Sequence, residues 1–185
     1  MALTVSGANS IRPARRLGFH STPSMNFLEA ASQTFKIGTP VTFTSGGSTI
    51  EEVAAPALPV DIIGIAAEDA SGTTNDPIRI WPLVDGIIWE APLGTTALTD
   101  VTLAQTQVGD VLGIGQDGTN LGYFVDTALT AVLSTRVRVV GLKDPVGTVN
   151  GRVYFTFLDF VMDTNAAVGS QVNIINGWKI YAAAA

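Results

Sequence analysis

The stretch Arg152-Val153-Tyr154-Phe155-Thr156-Phe157-Leu158-Asp159-Phe160 decides the fold class of this chain. In an extended backbone it places Val153, Phe155, Phe157 and Asp159 on one face and Arg152, Tyr154, Thr156, Leu158 and Phe160 on the other. A side-chain period of two is the mark of a β-strand. Both faces carry large apolar groups, so this strand is expected in the middle of a sheet and covered on both sides.

Outward from that stretch, the chain from Thr34 repeats the same texture. Short runs rich in Val, Ile, Thr, Phe and Trp alternate with Gly, Pro, Asn and Asp. The expected strands are 34–37, 40–44, 60–67, 77–83, 86–91, 110–115, 121–126, 136–142, 152–161, 172–175 and 178–181. Turn signals stand between several of them: Ser45-Gly46-Gly47, Asp85-Gly86, Asp117-Gly118, Asn150-Gly151 and Asn176-Gly177. Asn-Gly and Asp-Gly pairs accept positive φ at low cost and favour two-residue hairpins, so most connections are expected to be local. The long helices that parallel crossovers require are missing, and only Thr127 to Ser134 has a helix-like composition. The fold class is therefore all-β, an antiparallel β-barrel or sandwich over residues 34–162 with an extended N-terminal arm.

Residues 1–33 read as that arm. The first 24 residues show neither period, and Met25 to Gln33 reads as one or two helical turns with Ser24 as N-cap. Leu3, Val5, Ile11, Leu17 and Phe19 are spaced as anchors, and Arg12, Arg15 and Arg16 add charge. Ordering such a segment costs ~1–2 kcal/mol of backbone entropy per residue, so these side chains are expected to bind a partner surface. Residues 163–185 read as a C-terminal extension with a small β-hairpin, in which Trp178 and Tyr181 are candidate partner contacts.

Composition narrows the class of function. Of 185 residues, 46% are hydrophobic and only 14% charged, below the roughly 25% of an average soluble domain, which suits burial against partners. There are no cysteines, so packing or oligomerisation must hold the fold. The apolar runs Val60 to Ala67 and Gly86 to Ala91 stop long before the ~20 residues of a membrane helix, and no secretion signal or membrane partner is read. Residues 1–28 hold three arginines and no carboxylate, and the remainder holds seven Lys/Arg against sixteen Asp/Glu, 7 − 16 = −9. So acidic a body argues against nucleic acid as a partner.

Reactive groups are few. His20 is the only histidine, which excludes a Ser-His-Asp triad and a multi-histidine metal site by count. Gly113-Ile114-Gly115-Gln116-Asp117-Gly118 matches GxGxxG, but a strand-like run follows where a dinucleotide site needs a helix, so it reads as a glycine-rich hairpin. Glu51-Glu52, Glu68-Asp69 and Asp159 with Asp163 lack the spacing of a calcium loop or an acid-base pair. Trp81 and Trp89 sit in apolar strands, where core packing is the usual role. Neither enzyme activity nor a cofactor is expected.

The order of motifs carries a resemblance. Phe35-Lys36-Ile37-Gly38-Thr39-Pro40-Val41, a Gly-Gly turn, and then Ile62-Ile63-Gly64-Ile65-Ala66-Ala67-Glu68-Asp69-Ala70 resemble the opening of bacteriophage head decoration (capsid cement) proteins. Ile78-Arg79-Ile80 with Ile88-Trp89-Glu90-Ala91 looks like the paired strands of that family. Val108-Gly109-Asp110-Val111-Leu112 with Arg136 to Leu142 looks like its closing strands. The resemblance spans residues 34–160, and the arm and the Asp163 to Ala185 extension depart from the shorter members. It implies a structural virion protein on the capsid surface: a homo-oligomer, often a trimer, that binds the major capsid protein and cements neighbouring subunits. The alternative is a receptor- or carbohydrate-binding virion module, such as a head fibre or tail-associated adhesin, with the tryptophans stacking on sugar.

Overall fold

A computed structural model describes residues 10–16, 23–53, 62–84, 86–95, 100–117, 122–129, 137–158, 172–175 and 178–181. Thirteen strands are among them. The chain is all-β, as the alternation predicts, and its strands fall into two main sheets and a separate pair.

The first sheet joins β1 (Arg12–Arg16), β7 (Ile87–Gly94), β11 (Arg152–Phe157), β10 (Val137–Leu142), β8 (Val111–Asp117) and β9 (Gly122–Asp126) in that spatial order. A short parallel contact, Leu93 opposite Val125 and Gly94 opposite Asp126, brings β9 back to β7 and closes five of these strands into a barrel. All its other pairings are antiparallel. Closure removes the sheet edges that an open antiparallel sheet would expose. The interior is filled by Trp89, Phe155, Phe157, Leu93, Ile114, Val125, Val137, Val139 and Val153, with the Trp89 and Phe157 rings edge to face at 5.7 Å.

The second sheet has five strands, β2 (Met25–Leu28), β6 (Pro77–Pro82), β5 (Gly64–Ala66), β3 (Pro40–Phe43) and β4 (Ile50–Glu52), again antiparallel. Just past β2, Glu29 forms a parallel bridge to Ile50 of β4, so this sheet also curls towards closure. Its own small core is Phe35, Val41, Ile50, Ile63, Ala66, Ile78 and Ile80. Ile62, Ile65, Val53 and Leu83 turn the other way and join the barrel's core, so the sheets share apolar contact.

Several expectations are corrected. β11 is central, flanked by β7 and β10, but only Val153, Phe155 and Phe157 are buried; Arg152, Tyr154 and Thr156 on the other face are half-buried. A barrel interior covers one face, and no layer is required on the other. Residues 34–37 are not a strand: Phe35 plugs the second core from an irregular segment held by Ala70 N–H donating to the Phe35 carbonyl at 3.0 Å. Met25–Leu28 is a strand rather than a helical turn, because Phe27 packs on Phe43 and the backbone is satisfied by β6. Arg12–Arg16 is likewise a strand of the first sheet, so this part of the 1–33 segment is built into the body. Asp85-Gly86 leads from β6 to β7, which lie in different sheets, so it is a crossover and not a hairpin. Most of the Thr127 to Ser134 helix reading lies outside the described residues, as does the Asn176-Gly177 turn. Its flanking strands β12 (Val172–Ile175) and β13 (Trp178–Tyr181) pair antiparallel as expected.

Candidate interaction surface

The N-terminal strand is tied down at three points. Ile11 is 1% exposed and belongs to the barrel core, which corrects its reading as a partner anchor. Beside it, the Ser10 hydroxyl donates to the Gly38 carbonyl at 3.1 Å and accepts from Tyr123 N–H at 2.7 Å. One side chain thus joins both sheets, and Gly38 permits it: a Cβ there would lie 2.7 Å from Ser10 Cβ and 2.8 Å from the Ile11 carbonyl oxygen. Arg12 completes the seat by donating to Glu90 across the β1–β7 ladder.

Glu90 is the electrostatic centre of this face. It is 5% exposed, on β7, and one carboxylate oxygen meets Arg12 of β1, Lys143 Nζ at 2.7 Å and Arg152 Nε of β11 at 3.4 Å. Burial pushes its pKa up, but hydrogen bonds from Lys143 and Arg12 and the charge of Arg152 outweigh burial and hold the carboxyl below its ordinary range. Its own neighbour row adds Tyr154, with the Arg15 guanidinium 5.9 Å from the ring centroid, a cation–π distance. Arg138 is exposed on β10 opposite Thr156, and Val140, at a bulge in the same strand, is 41% exposed. The outer face of the barrel therefore carries cations with a tyrosine and a valine among them. Sequence reading passed over Glu90 as a site. The available signal was a lone carboxylate inside the apolar run Gly86 to Leu93, since a charge buried in a sheet must find partners.

A second feature is the edge of β2. Glu29 N–H donates to the Asp76 carbonyl, and Pro77, opposite Leu28, has no N–H to give. The odd residues therefore bond β6, while Asn26 and Leu28 aim their backbone groups away, the direction in which Ala30 N–H reaches the Ile50 carbonyl at 2.9 Å. Those of Asn26 and Leu28 have no hydrogen-bond partner among the described residues. Met25 is 44% exposed and Leu28 43%, and no Lys or Pro lies within the strand itself, Pro23 standing two residues before it.

The remaining candidates divide. Arg16 lies opposite Ile87 in the ladder. Trp178 lies opposite Ile175 and Tyr181 opposite Val172 in the C-terminal pair, and their side chains lie outside the description. Leu3, Val5, Leu17, Phe19, His20 and the Asp159 with Asp163 pair lie outside the described residues. Trp89 is core, so it offers no sugar platform, and Trp81 packs half-buried against the same core. Gly113 to Asp117 is strand β8 paired with β9, and a Cβ on Gly115 would meet the Asp126 carboxylate at 2.7 Å; side-chain packing, not phosphate, requires that glycine.

The acidic pairs have structural work. Arg79 backbone N–H holds the Glu68 carboxyl below its ordinary value, with the Arg79 guanidinium adding to it, and Ile37 N–H with Lys36 does the same for Asp69. Glu52 spans the sheets, accepting from Tyr123 Oη at 2.8 Å and Gln116 Nε2 at 2.9 Å. Burial, reinforced by that carboxylate, pushes the Tyr123 phenol far up. Glu29, buried, accepts Ser71 N–H at 2.8 Å and Gly72 N–H at 2.6 Å and so fixes the loop before β6. Among the described residues no three His, Cys, Asp or Glu gather as a metal site. In comparisons with known proteins, no family model and no curated sequence matches this chain.

Proposed function

We propose that this chain is a structural virion protein that binds the outer surface of a phage capsid as a homo-oligomer, a trimer in the resembling family, and cements neighbouring major capsid subunits. The observation that carries the reading is the β2 edge, which has no partner strand among the described residues: there Asn26 and Leu28 present backbone donors and acceptors beside the exposed Met25 and Leu28 side chains. An extended segment of a capsid subunit can add there as a further strand, with backbone bonds supplying affinity and the apolar side chains supplying register. The rest of the body suits a rigid clamp: its barrel is closed, and Ser10 and Glu52 cross-link the two sheets. The order of motifs in residues 34–160 supplies the word capsid.

The test is cosedimentation of the purified chain with capsids that lack their decoration protein. Removing residues 1–24 is the wrong variant, because Ser10 and Ile11 belong to the fold. Asn26→Pro is better, since it deletes a backbone N–H on the edge facing away from β6 and leaves the bonds to β6 intact. Binding by the parent chain and its loss in Asn26→Pro is the expected result. Full binding by Asn26→Pro removes β2 from the interface, and a parent chain that ignores capsids ends the capsid reading.

A further inference from the structure

We infer that the cations gathered on Glu90, on the outer face of the barrel, form a receptor site for a carboxylate carried by an acidic segment of another protein. The Glu90 side chain is 6% exposed, and one of its oxygens receives Arg12 Nε at 2.5 Å, Lys143 Nζ at 2.7 Å and Arg152 Nε at 3.4 Å. Three cationic groups therefore lie within a few ångströms of one another around a single anion, which leaves 3 − 1 = +2 in the cluster. The wider face adds Arg15 and Arg138 against Asp110 and Asp144, and the excess stands at 5 − 3 = +2. The chain as a whole carries −6, so this site has the opposite sign to the molecule.

The geometry of the cluster fits a second carboxylate. Arg12 commits Nε to Glu90, its side chain is 48% exposed, and its two terminal nitrogens have no hydrogen-bond partner among the described residues. The paired N–H groups at the end of a guanidinium match the two oxygens of a planar carboxylate. Lys143, its side chain 30% exposed, donates only to Glu90 among the described residues and keeps further N–H groups for a ligand. Neighbouring cations repel, and an added anion relieves that repulsion. Glu90 also holds Arg12 and Lys143 in place, which lowers the entropy lost when the ligand arrives. Beside the cluster, Arg15 lies over the Tyr154 ring, and the exposed Val140 stands at the bulge next to Gly141, the cross-strand partner of Tyr154. An arginine, a tyrosine ring and a valine supply contact area that an extended peptide uses and a small inorganic anion does not.

This site lies in the other main sheet from the β2 edge and does not depend on the capsid reading. Its test is fluorescence anisotropy of the full chain with a labelled oligoglutamate peptide at low and high salt, with oligolysine, oligothymidylate and inorganic phosphate as comparison probes. Oligoglutamate is expected to bind and to weaken with salt, and oligolysine is expected not to bind. Arg12→Gln should weaken binding roughly tenfold and Arg15→Gln about threefold, since the first loses a charge-assisted pair and the second an exposed charge. Circular dichroism checks that both variants fold, and the exposed Arg15 keeps the test decisive if Arg12→Gln does not. Arg79→Gln, an exposed arginine of the second sheet, should leave binding unchanged. No binding of oligoglutamate, unchanged binding in Arg12→Gln and Arg15→Gln, or an equal loss in Arg79→Gln overturns the inference. Tighter binding of oligothymidylate, or equal binding of inorganic phosphate, also overturns it, in favour of nucleic acid or of a free anion. A chain that binds oligoglutamate and ignores capsids sinks only the capsid reading, whereas one that cosediments with capsids and ignores oligoglutamate sinks only this site.

Discussion

The two main sheets solve the same problem with different means. Five strands of each are brought towards closure by one short parallel contact, Leu93 and Gly94 against Val125 and Asp126 in the first, Glu29 against Ile50 in the second. The first is filled by aromatic rings and branched aliphatics, and of its buried carboxylates Glu90, Asp117 and Asp126 it clamps Glu90 with three cations. The second has a core of seven residues with a single large aromatic, Phe35, and its ion pairs lie in solvent. It also sends Ile62, Ile65, Val53 and Leu83 into its neighbour's core. The barrel is thus the foundation, and the smaller sheet is a platform whose β2 edge has no partner strand among the described residues. An edge that binds must stay unpaired, and only a body stable by other means tolerates that.

Phe155→Ala strikes the foundation. Deleting a fully buried ring is expected to cost ~3–5 kcal/mol and to unfold both sheets in one transition, seen as coincident urea curves by near- and far-UV circular dichroism. Separate transitions would show that the smaller sheet stands alone.

Glu90→Gln removes the charge from the clamp. It should cost ~1.5–3 kcal/mol at neutral pH, because Arg12, Lys143 and Arg152 lose a charge-assisted acceptor. The same carboxyl governs acid sensitivity. Its folded-state pKa is depressed, so its contribution is complete above the ordinary carboxylate value of about 4.3 and is lost as pH falls below that towards the folded value. Chemical denaturation of the parent between pH 6 and 3 should show this loss, with a shallower fall in Glu90→Gln.

Gly38→Ala addresses the joint between the sheets. Its φ of +87° and the 2.7 Å approach to Ser10 predict a loss of about 1–3 kcal/mol and faster tryptic cleavage at Arg15 as the first strand loosens. Gly47→Ala, at φ +71° with open space around it, should cost only the ~1 kcal/mol of backbone strain and leave cleavage unchanged. Smallest of all, Glu68→Gln on the second sheet breaks a pair between two partly exposed side chains and should shift stability by under about 1 kcal/mol.

Much of this was legible in the chain. Strands 40–44, 77–83, 110–115, 121–126 and 136–142 lie within a residue or two of their observed ends, because a period of two and a flanking turn are local facts. β1, β2 and β4 were not legible. Arg12–Arg16 has no alternation at all, and it is a strand only because Ile11 enters a core built by residues far along the chain and Glu90 is waiting for Arg12. Met25–Leu28 follows a serine that would cap a helix, and the pairing with β6 overrides that preference. The interaction surface follows the same rule: arginines could be counted along the sequence, but their convergence on one carboxylate depends on three strand registers.

By itself, then, the sequence determined an all-β chain without long helices, with few groups fit for chemistry and with charge divided between its parts, since these follow from composition and local period. Tertiary structure alone decided that the main sheets are two, that one closes through a parallel contact, and that the N-terminal strand is part of the body. It also decided which edge has no partner strand among the described residues. Those outcomes depend on which distant residues bury each other's apolar surface, and the free energy of that burial exceeds any local preference of a four- or five-residue strand.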